Sequence, residues 1–206
     1  RQYLALHYIK MRCRDITPFD DFMTGYHEWL AENSLTDEEL VIVAASYENK
    51  FALLECVLWN QWKRFRYYVI PGQDYSDLID CIDFDQFENT EISTLKLFRD
   101  HPEVMQEYDI RDEYELHNLL RKIWPEDDHR ITFHRMPTIE IGKADQEEQL
   151  LSLLLQYAPV SAEELAQKYE EAYGVKAATA MSNLFRKIDV YYYNGMYTID
   201  SENLIA

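Results

Sequence analysis

Apolar positions recur at helical spacing along most of the chain and give way near its end to a short alternating stretch around a turn. Asp145–Tyr157 places Leu150, Leu151, Leu153, Leu154 and Leu155 behind an acidic first turn. That pattern predicts a buried helix with favourable charge at its N-terminus. Pro159 ends it. Ser161 followed by Glu164 is a capping box, and Leu165, Tyr169 and Tyr173 then fall four apart on one face of a second helix. Gly174 is placed to end that helix in a left-handed conformation. Thr179–Ile188 reads as a third helix with Met181, Leu184, Phe185 and Ile188 as its apolar stripe. Val190–Tyr193, Asn194-Gly195 and Met196–Ile199 read as a hairpin, Asn-Gly being a strong short-range turn signal.

The preceding seventy residues follow the same order. Tyr75–Phe87 is expected to supply a first, irregular helix, and Thr90 or Ser93 opens a second. Pro102 suits the first position of a fresh turn running to Tyr108. Asp112–Ile123 is the third helix, and Arg130–His134 with Thr138–Ile141 are two candidate strands. Gly142 and Lys143 mark a short boundary.

The first seventy residues read as helical and aromatic. Tyr3–Cys13 is one segment. Thr17 as N-cap with Pro18 at the first helical position opens a helix through Phe22, Tyr26, Trp29 and Leu30. Thr36 with Glu39 is a capping box before Leu40–Tyr47, and Phe51–Tyr68 reads as one long apolar helix closed by Pro71-Gly72. Leu58, Trp62, Phe65 and Val69 form a core stripe on it, with Lys63, Arg64 and Arg66 solvated beside that stripe; the alternative for the two arginines is pairing with the acidic middle unit. Basic residues interleaved with aromatics there could also track a nucleic-acid strand, although the core reading is favoured. The region is either a diverged copy of the later units or a separate helical bundle.

Two stretches repeat. Tyr108–Ile123 and Tyr173–Ile188 share six of sixteen positions: Tyr108/Tyr173, Asn118/Asn183, Leu119/Leu184, Arg121/Arg186, Lys122/Lys187 and Ile123/Ile188. An M-x-T-I follows each copy, at Met136–Ile139 and Met196–Ile199. A repeat that also keeps element order predicts tandem units. The expected division is 1–72, 73–142 and 143–206.

The net charge of −18 is uneven. Residues 1–70 carry 8 basic and 10 acidic residues, residues 71–142 carry 7 and 18, and residues 143–206 carry 5 and 10. Such acidity repels phosphates and disfavours nucleic-acid binding except through a local basic face. Five glycines argue against phosphate-cradling loops, and no H-E-x-x-H, G-x-S-x-G or P-loop is present. Cys13, Cys56 and Cys81 are widely spaced and fit reduced thiols of a cytoplasmic protein. Cys56 has no neighbouring base in sequence. The aspartates 74, 77, 80, 83 and 85 lack the pattern of a calcium loop, and Glu126, Asp127, Asp128, His129 and His134 read better as a charged loop than as a metal site. Neither a catalytic residue, a cofactor nor a metal is expected, nor is a membrane span.

The unit 145–200 resembles a winged-helix (helix-turn-helix) domain, through its capped second helix, YGVKAATAMSNLFRKI and the Asn-Gly hairpin. The resemblance covers the last third well, the middle moderately and the first third hardly at all. It implies a mainly α fold with small β-hairpins: tandem winged-helix units plus an N-terminal helical region. It also implies DNA binding or transcription regulation, or, in acidic tandem forms, protein interaction. In the last unit Lys176, Thr179, Ser182, Asn183, Arg186, Lys187 and the wing-tip Asn194 are the candidates for contacting double-stranded DNA. Arg111, His117, Asn118, Arg121 and Lys122 are their middle-unit counterparts, but Asp112, Glu113 and Glu115 lie among them. That copy is expected to be a poor DNA binder, with its Asn bonding a neighbouring turn. The rival expectation for the chain is an acidic module that docks a protein partner or a second copy of itself.

Overall fold

A computed structural model of the chain describes residues 1–42 and 50–199. Among these residues helix outweighs strand, 51% to 14%, and the strands form small antiparallel sheets. By contacts the chain groups into two compact units, one comprising Arg1–Ser76 and Tyr114–Pro125, the other Asp77–Glu113 and Glu126–Ala206.

The first unit begins with helix α1 (Gln2–Arg12), strand β1 (Thr17–Pro18) and helix α2 (Phe19–Glu32). Thr17 does not cap α2 as expected. Its hydroxyl donates to the Asp15 carbonyl, and Thr17 and Pro18 pair instead with Phe65 and Arg64. Pro18 is tolerated because β1 is an edge strand. A 3-10 turn follows at Glu38–Leu40, capped by Asp37, which accepts from the Glu39 amide, rather than by Thr36. Most of the helix expected over Leu40–Tyr47 lies outside the described residues.

The long helix expected over Phe51–Tyr68 is replaced by a hairpin, β2 (Val57–Asn60) and β3 (Arg64–Tyr67), in a sheet of order β1-β3-β2. Short runs rich in Val, Trp, Phe and Tyr favour strands, and here that preference outweighs the helical spacing of Leu58, Trp62 and Phe65. The turn escapes recognition because it contains neither Gly nor Asn-Gly. Trp62 and Lys63 themselves take left-handed φ values of 60° and 54°. Ile9, Phe22, Tyr26, Phe51, Val57 and Phe65 belong to the core of this unit. Phe22 lies 4.9 Å from Phe51 and 5.5 Å from Phe65, ring centre to ring centre.

Helix α3 is short (Ser76–Asp80), so the helix expected over Tyr75–Phe87 forms only in part; the second unit starts at its second residue, Asp77. Strand β4 (Thr90–Ser93) runs into α4 (Thr94–Asp100), where the Ser93 hydroxyl accepts from the Leu95 amide. Helix α5 (Pro102–Glu107) starts on its proline, as the sequence predicts. Helix α6 (Glu113–Ile123) follows; beyond Glu113 it belongs to the first unit. Strands β5 (Ile131–Phe133) and β6 (Thr138–Ile141) complete a sheet of order β4-β6-β5.

Helix α7 (Gln146–Tyr157) is capped by Asp145, which accepts from the Glu147 and Glu148 amides. Helix α8 (Ala162–Tyr173) is capped by Ser161, which accepts from Glu164, and ends on Gly174 at φ 72°. The third helix is shorter than expected. Helix α9 spans Ala177–Asn183, and a 3-10 segment with a kink at Ile188 continues over Phe185–Tyr191. Met181 is exposed rather than part of the apolar stripe, which leaves Ala180, Leu184, Phe185 and Ile188 inside. Strands β7 (Tyr192–Tyr193) and β8 (Met196–Tyr197) close on Asn194 and Gly195 at φ 51° and 85°. Val160 bridges Tyr197 on the other side of β8.

One arrangement therefore recurs three times: helix, short strand, helix, an intervening segment and then two paired strands. In each case the third strand lies between the first and second: β1-β3-β2, β4-β6-β5, and Val160 with β8 and β7.

Candidate nucleic-acid interface

The sheets expose edges whose outward-facing backbone groups need partners. In the second unit Gln149 of α7 supplies them. Its Oε1 accepts from the Glu91 amide at 2.9 Å and its Nε2 donates to the Glu91 carbonyl at 3.0 Å. In the first unit Asn118 of α6 does similar work. Its Oδ1 accepts from the Trp59 amide at 2.9 Å and its Nδ2 donates to the Ala52 carbonyl at 3.2 Å. Lys122, one turn on, donates to the Leu54 and Val57 carbonyls at 2.8 and 2.5 Å.

These contacts settle the environment of the middle copy of the repeat. Six consecutive residues of α6, Glu115 to Leu120, are buried, so that stretch has no solvent-facing stripe. His117 and Asn118 are among them, and Lys122 is half-buried. Only Arg111 and Arg121 of the middle candidates are exposed, and Arg111 faces Asp109 at 3.5 Å. Burial pushes Lys122 down from the ordinary lysine value to about 7, against the opposing pull of Cys56 and Glu55.

The last copy is placed differently. Lys176, Thr179, Ser182, Asn183, Arg186, Lys187 and Asn194 are all exposed. Lys176 occupies the N-cap of α9, and its carbonyl accepts from the Thr179 and Ala180 amides. Thr179, Ser182 and Asn183 lie on α9 itself; the Ser182 hydroxyl donates to the Thr179 carbonyl at 3.2 Å. Arg186 and Lys187 follow on the 3-10 segment, beyond the end of α9 at Asn183, so they stand off the helix that sequence spacing had joined them to. Asn194 stands at the β7–β8 turn. Among the described residues no ion pair engages Lys176, Arg186 or Lys187. The nearby Glu170 is held below the usual carboxylate range, chiefly because it accepts from the Ala177 amide and also because it pairs with Arg99 at 3.0 Å. Val190, Tyr192 and Tyr193 are exposed alongside.

The acidic stretches have local structural roles. Asp74 accepts from the Ser76 amide, Asp83 from those of Asp85 and Gln86, and Asp128 pairs with Arg130. His134 meets Glu140 at 2.7 Å. Among the described residues no group of three or more His, Cys, Asp or Glu side chains is arranged to hold a metal, and no helix is long and apolar enough to cross a membrane. Burial pushes the Cys13 and Cys81 thiols up to about 11 and raises Cys56 as well. Protonated thiols are poor nucleophiles at neutral pH.

The feature the sequence concealed is Trp62. Helical spacing assigns it to the core, yet it is 80% exposed at the β2–β3 turn. No protein-family model matches the chain, and no curated protein or solved structure matches it either.

Proposed function

We propose that the chain is a non-enzymatic module of tandem winged-helix units that binds double-stranded DNA through its last segment and serves in transcription regulation. The threefold order of helix, strand, helix and hairpin supports the winged-helix reading. The observation that carries the DNA reading is the contrast between the two copies of the repeat. Lys122 is spent on backbone carbonyls, whereas its counterpart Lys187, with Arg186 and Lys176, is exposed and outside any ion pair among the described residues. Exposed polar residues on α9 would read base edges while these cations hold phosphates, with Asn194 at the wing.

Titration of labelled duplex DNA at low salt tests this. Binding should weaken as salt rises, and Arg186→Ala with Lys187→Ala should reduce the slope of log K against log salt by about 2, roughly 0.9 per phosphate contact. Absence of binding at low salt, where counterion release favours it most, sinks the proposal.

A second reading is docking of a protein partner, favoured by the exposed apolar side chains Val190, Tyr192 and Tyr193 next to the same cations. It is also supported by α6, in which the repeated Asn and Lys contact protein backbone. Under this reading duplex DNA does not bind, and Tyr193→Ala weakens partner capture.

A further inference from the structure

The two described hairpins with left-handed turns solve the same backbone problem with different residues. At the β7–β8 turn the left-handed positions are Asn194 and Gly195, residue types that adopt that conformation readily. At the β2–β3 turn they are Trp62 and Lys63, which do so only under strain. Packing gives no return for the choice, because Trp62 is 80% exposed. Of the four tryptophans it is the exposed one; Trp29 and Trp59 are half-buried and Trp124 is buried.

The tip is also held firmly. The Asn60 side chain, itself buried, accepts from the Gln61 amide at 2.7 Å. Arg64 Nε donates to the Gln61 carbonyl at 3.3 Å, and the Lys63 carbonyl accepts from the Phe19 amide at 2.8 Å. Below the tip, Phe65 is buried in the core and stacks on Trp59. A rigid mount lowers the entropy lost when an exposed side chain is engaged.

Local charge indicates the ligand. Residues 56–73 contain Lys63, Arg64 and Arg66 and no Asp or Glu, in a chain of net charge −18. Arg66 pairs internally with Glu115; the other two cations of the stretch are Lys63, in the turn next to Trp62, and Arg64, the first residue of β3. Asp20 and Asp21, in the first turn of α2, offset part of their charge.

We propose that the β2–β3 tip is a base-stacking site, in which the Trp62 indole covers the face of an unpaired base while Lys63 and Arg64 attract the flanking phosphates. An aromatic face beside cations is a combination that binds single strands without sequence preference. In an intact duplex the base faces are already stacked on one another, so the ligand is a single strand or an unpaired segment.

The test uses the full chain and an oligo(dT) strand, with anisotropy for affinity and intrinsic fluorescence for contact. The strand should bind and should shield Trp62 from acrylamide quenching. Trp62→Gly and Trp62→Asn, which relieve the turn, should melt at or above the parent temperature yet bind about tenfold more weakly. Lys63→Ala should flatten the salt dependence. Undiminished affinity in both Trp62 variants overturns the proposal, as does failure of the strand to bind. Shielding of Trp62 by protein concentration alone would assign the tip to self-association and also overturn it. The Arg186→Ala/Lys187→Ala variant separates this site from the last segment. If it loses duplex binding and keeps oligo(dT) binding, the two sites are independent. A chain that binds oligo(dT) through Trp62 but no duplex keeps this proposal and loses the earlier one.

Discussion

Arg66 and Glu115 form a bidentate ion pair in the interior of the first unit, with Nε to Oε1 at 2.7 Å and Nη2 to Oε2 at 2.8 Å. Their side chains are 2% and 0% exposed. The pair ties strand β3 to helix α6, residues far apart in sequence. Desolvating two charges is costly, so such a pair contributes little net stability, but removing one partner strands the other. Glu115→Gln should therefore lower unfolding free energy by about 3–5 kcal/mol, and the double change Arg66→Met with Glu115→Leu should recover most of it. Urea denaturation of the parent chain and the two variants checks this. A loss below about 1 kcal/mol for Glu115→Gln would mean that water reaches the pair.

Lys122 gives the chain a pH dependence on the alkaline side of neutrality. Its folded value is depressed to about 7 from 10.5. Between those values the unfolded lysine keeps its proton while the folded one has lost it, so unfolding takes up a proton. Stability therefore rises with pH across that window and is lowest, from this group, below pH 7. The buried thiols oppose it above pH 9, because Cys13 and Cys81 are raised to about 11 and ionise sooner when unfolded. The clean interval is pH 7 to 9. Urea midpoints should increase there in the parent chain and stay level in Lys122→Met. A midpoint that is flat in both would show that Lys122 stays charged.

The repeated asparagines should separate cleanly by stability. Asn118→Ala removes partners from the Trp59 amide and the Ala52 carbonyl and should cost about 1–3 kcal/mol. Asn183→Ala, at an exposed position, should change stability by no more than about 0.5 kcal/mol. Thermal melts of the two variants decide it. Equal losses would place Asn183 in a structural role and weaken the case for a free binding face.

What the sequence revealed follows from which signals act locally. Ser93, Asp145, Ser161 and Gly174 end or start their helices through bonds to near neighbours, so their residue types betray them. The Asn-Gly turn is legible for the same reason. Phe51–Tyr68 misleads because its conformation is decided by distant partners. Val57 and Phe65 join a core with Phe22 and Phe51, and Asn118 completes the β2 edge from the far side of the sequence. The candidate face of the last segment was legible as a set of exposed residues. The break between Asn183 and Arg186 was not, since Leu184 and Ile188 keep helical spacing while the backbone tightens into a 3-10 turn. Trp62 was missed because a large aromatic at a left-handed, exposed turn position runs against both turn chemistry and burial.

Gly174 combines two constraints that can be tested together. It caps α8 at φ 72°, a conformation that L side chains adopt with strain, and its amide donates to the Glu170 carbonyl at 2.8 Å. A Cβ there would also sit 2.5 Å from the Lys96 amide nitrogen and 3.0 Å from the Lys96 Cα, both backbone atoms of α4 that cannot swing aside. Strain alone would cost Gly174→Ala about 1 kcal/mol. The contact with α4 should raise the loss above about 2 kcal/mol, as overpacking does elsewhere. Gly195→Ala provides the control, because its φ is also positive, at 85°, but nothing lies within 4 Å of the added carbon. Denaturation should rank the losses Gly174→Ala above Gly195→Ala. Equal losses would mean that α4 yields to the methyl group and that only the cap conformation constrains this position.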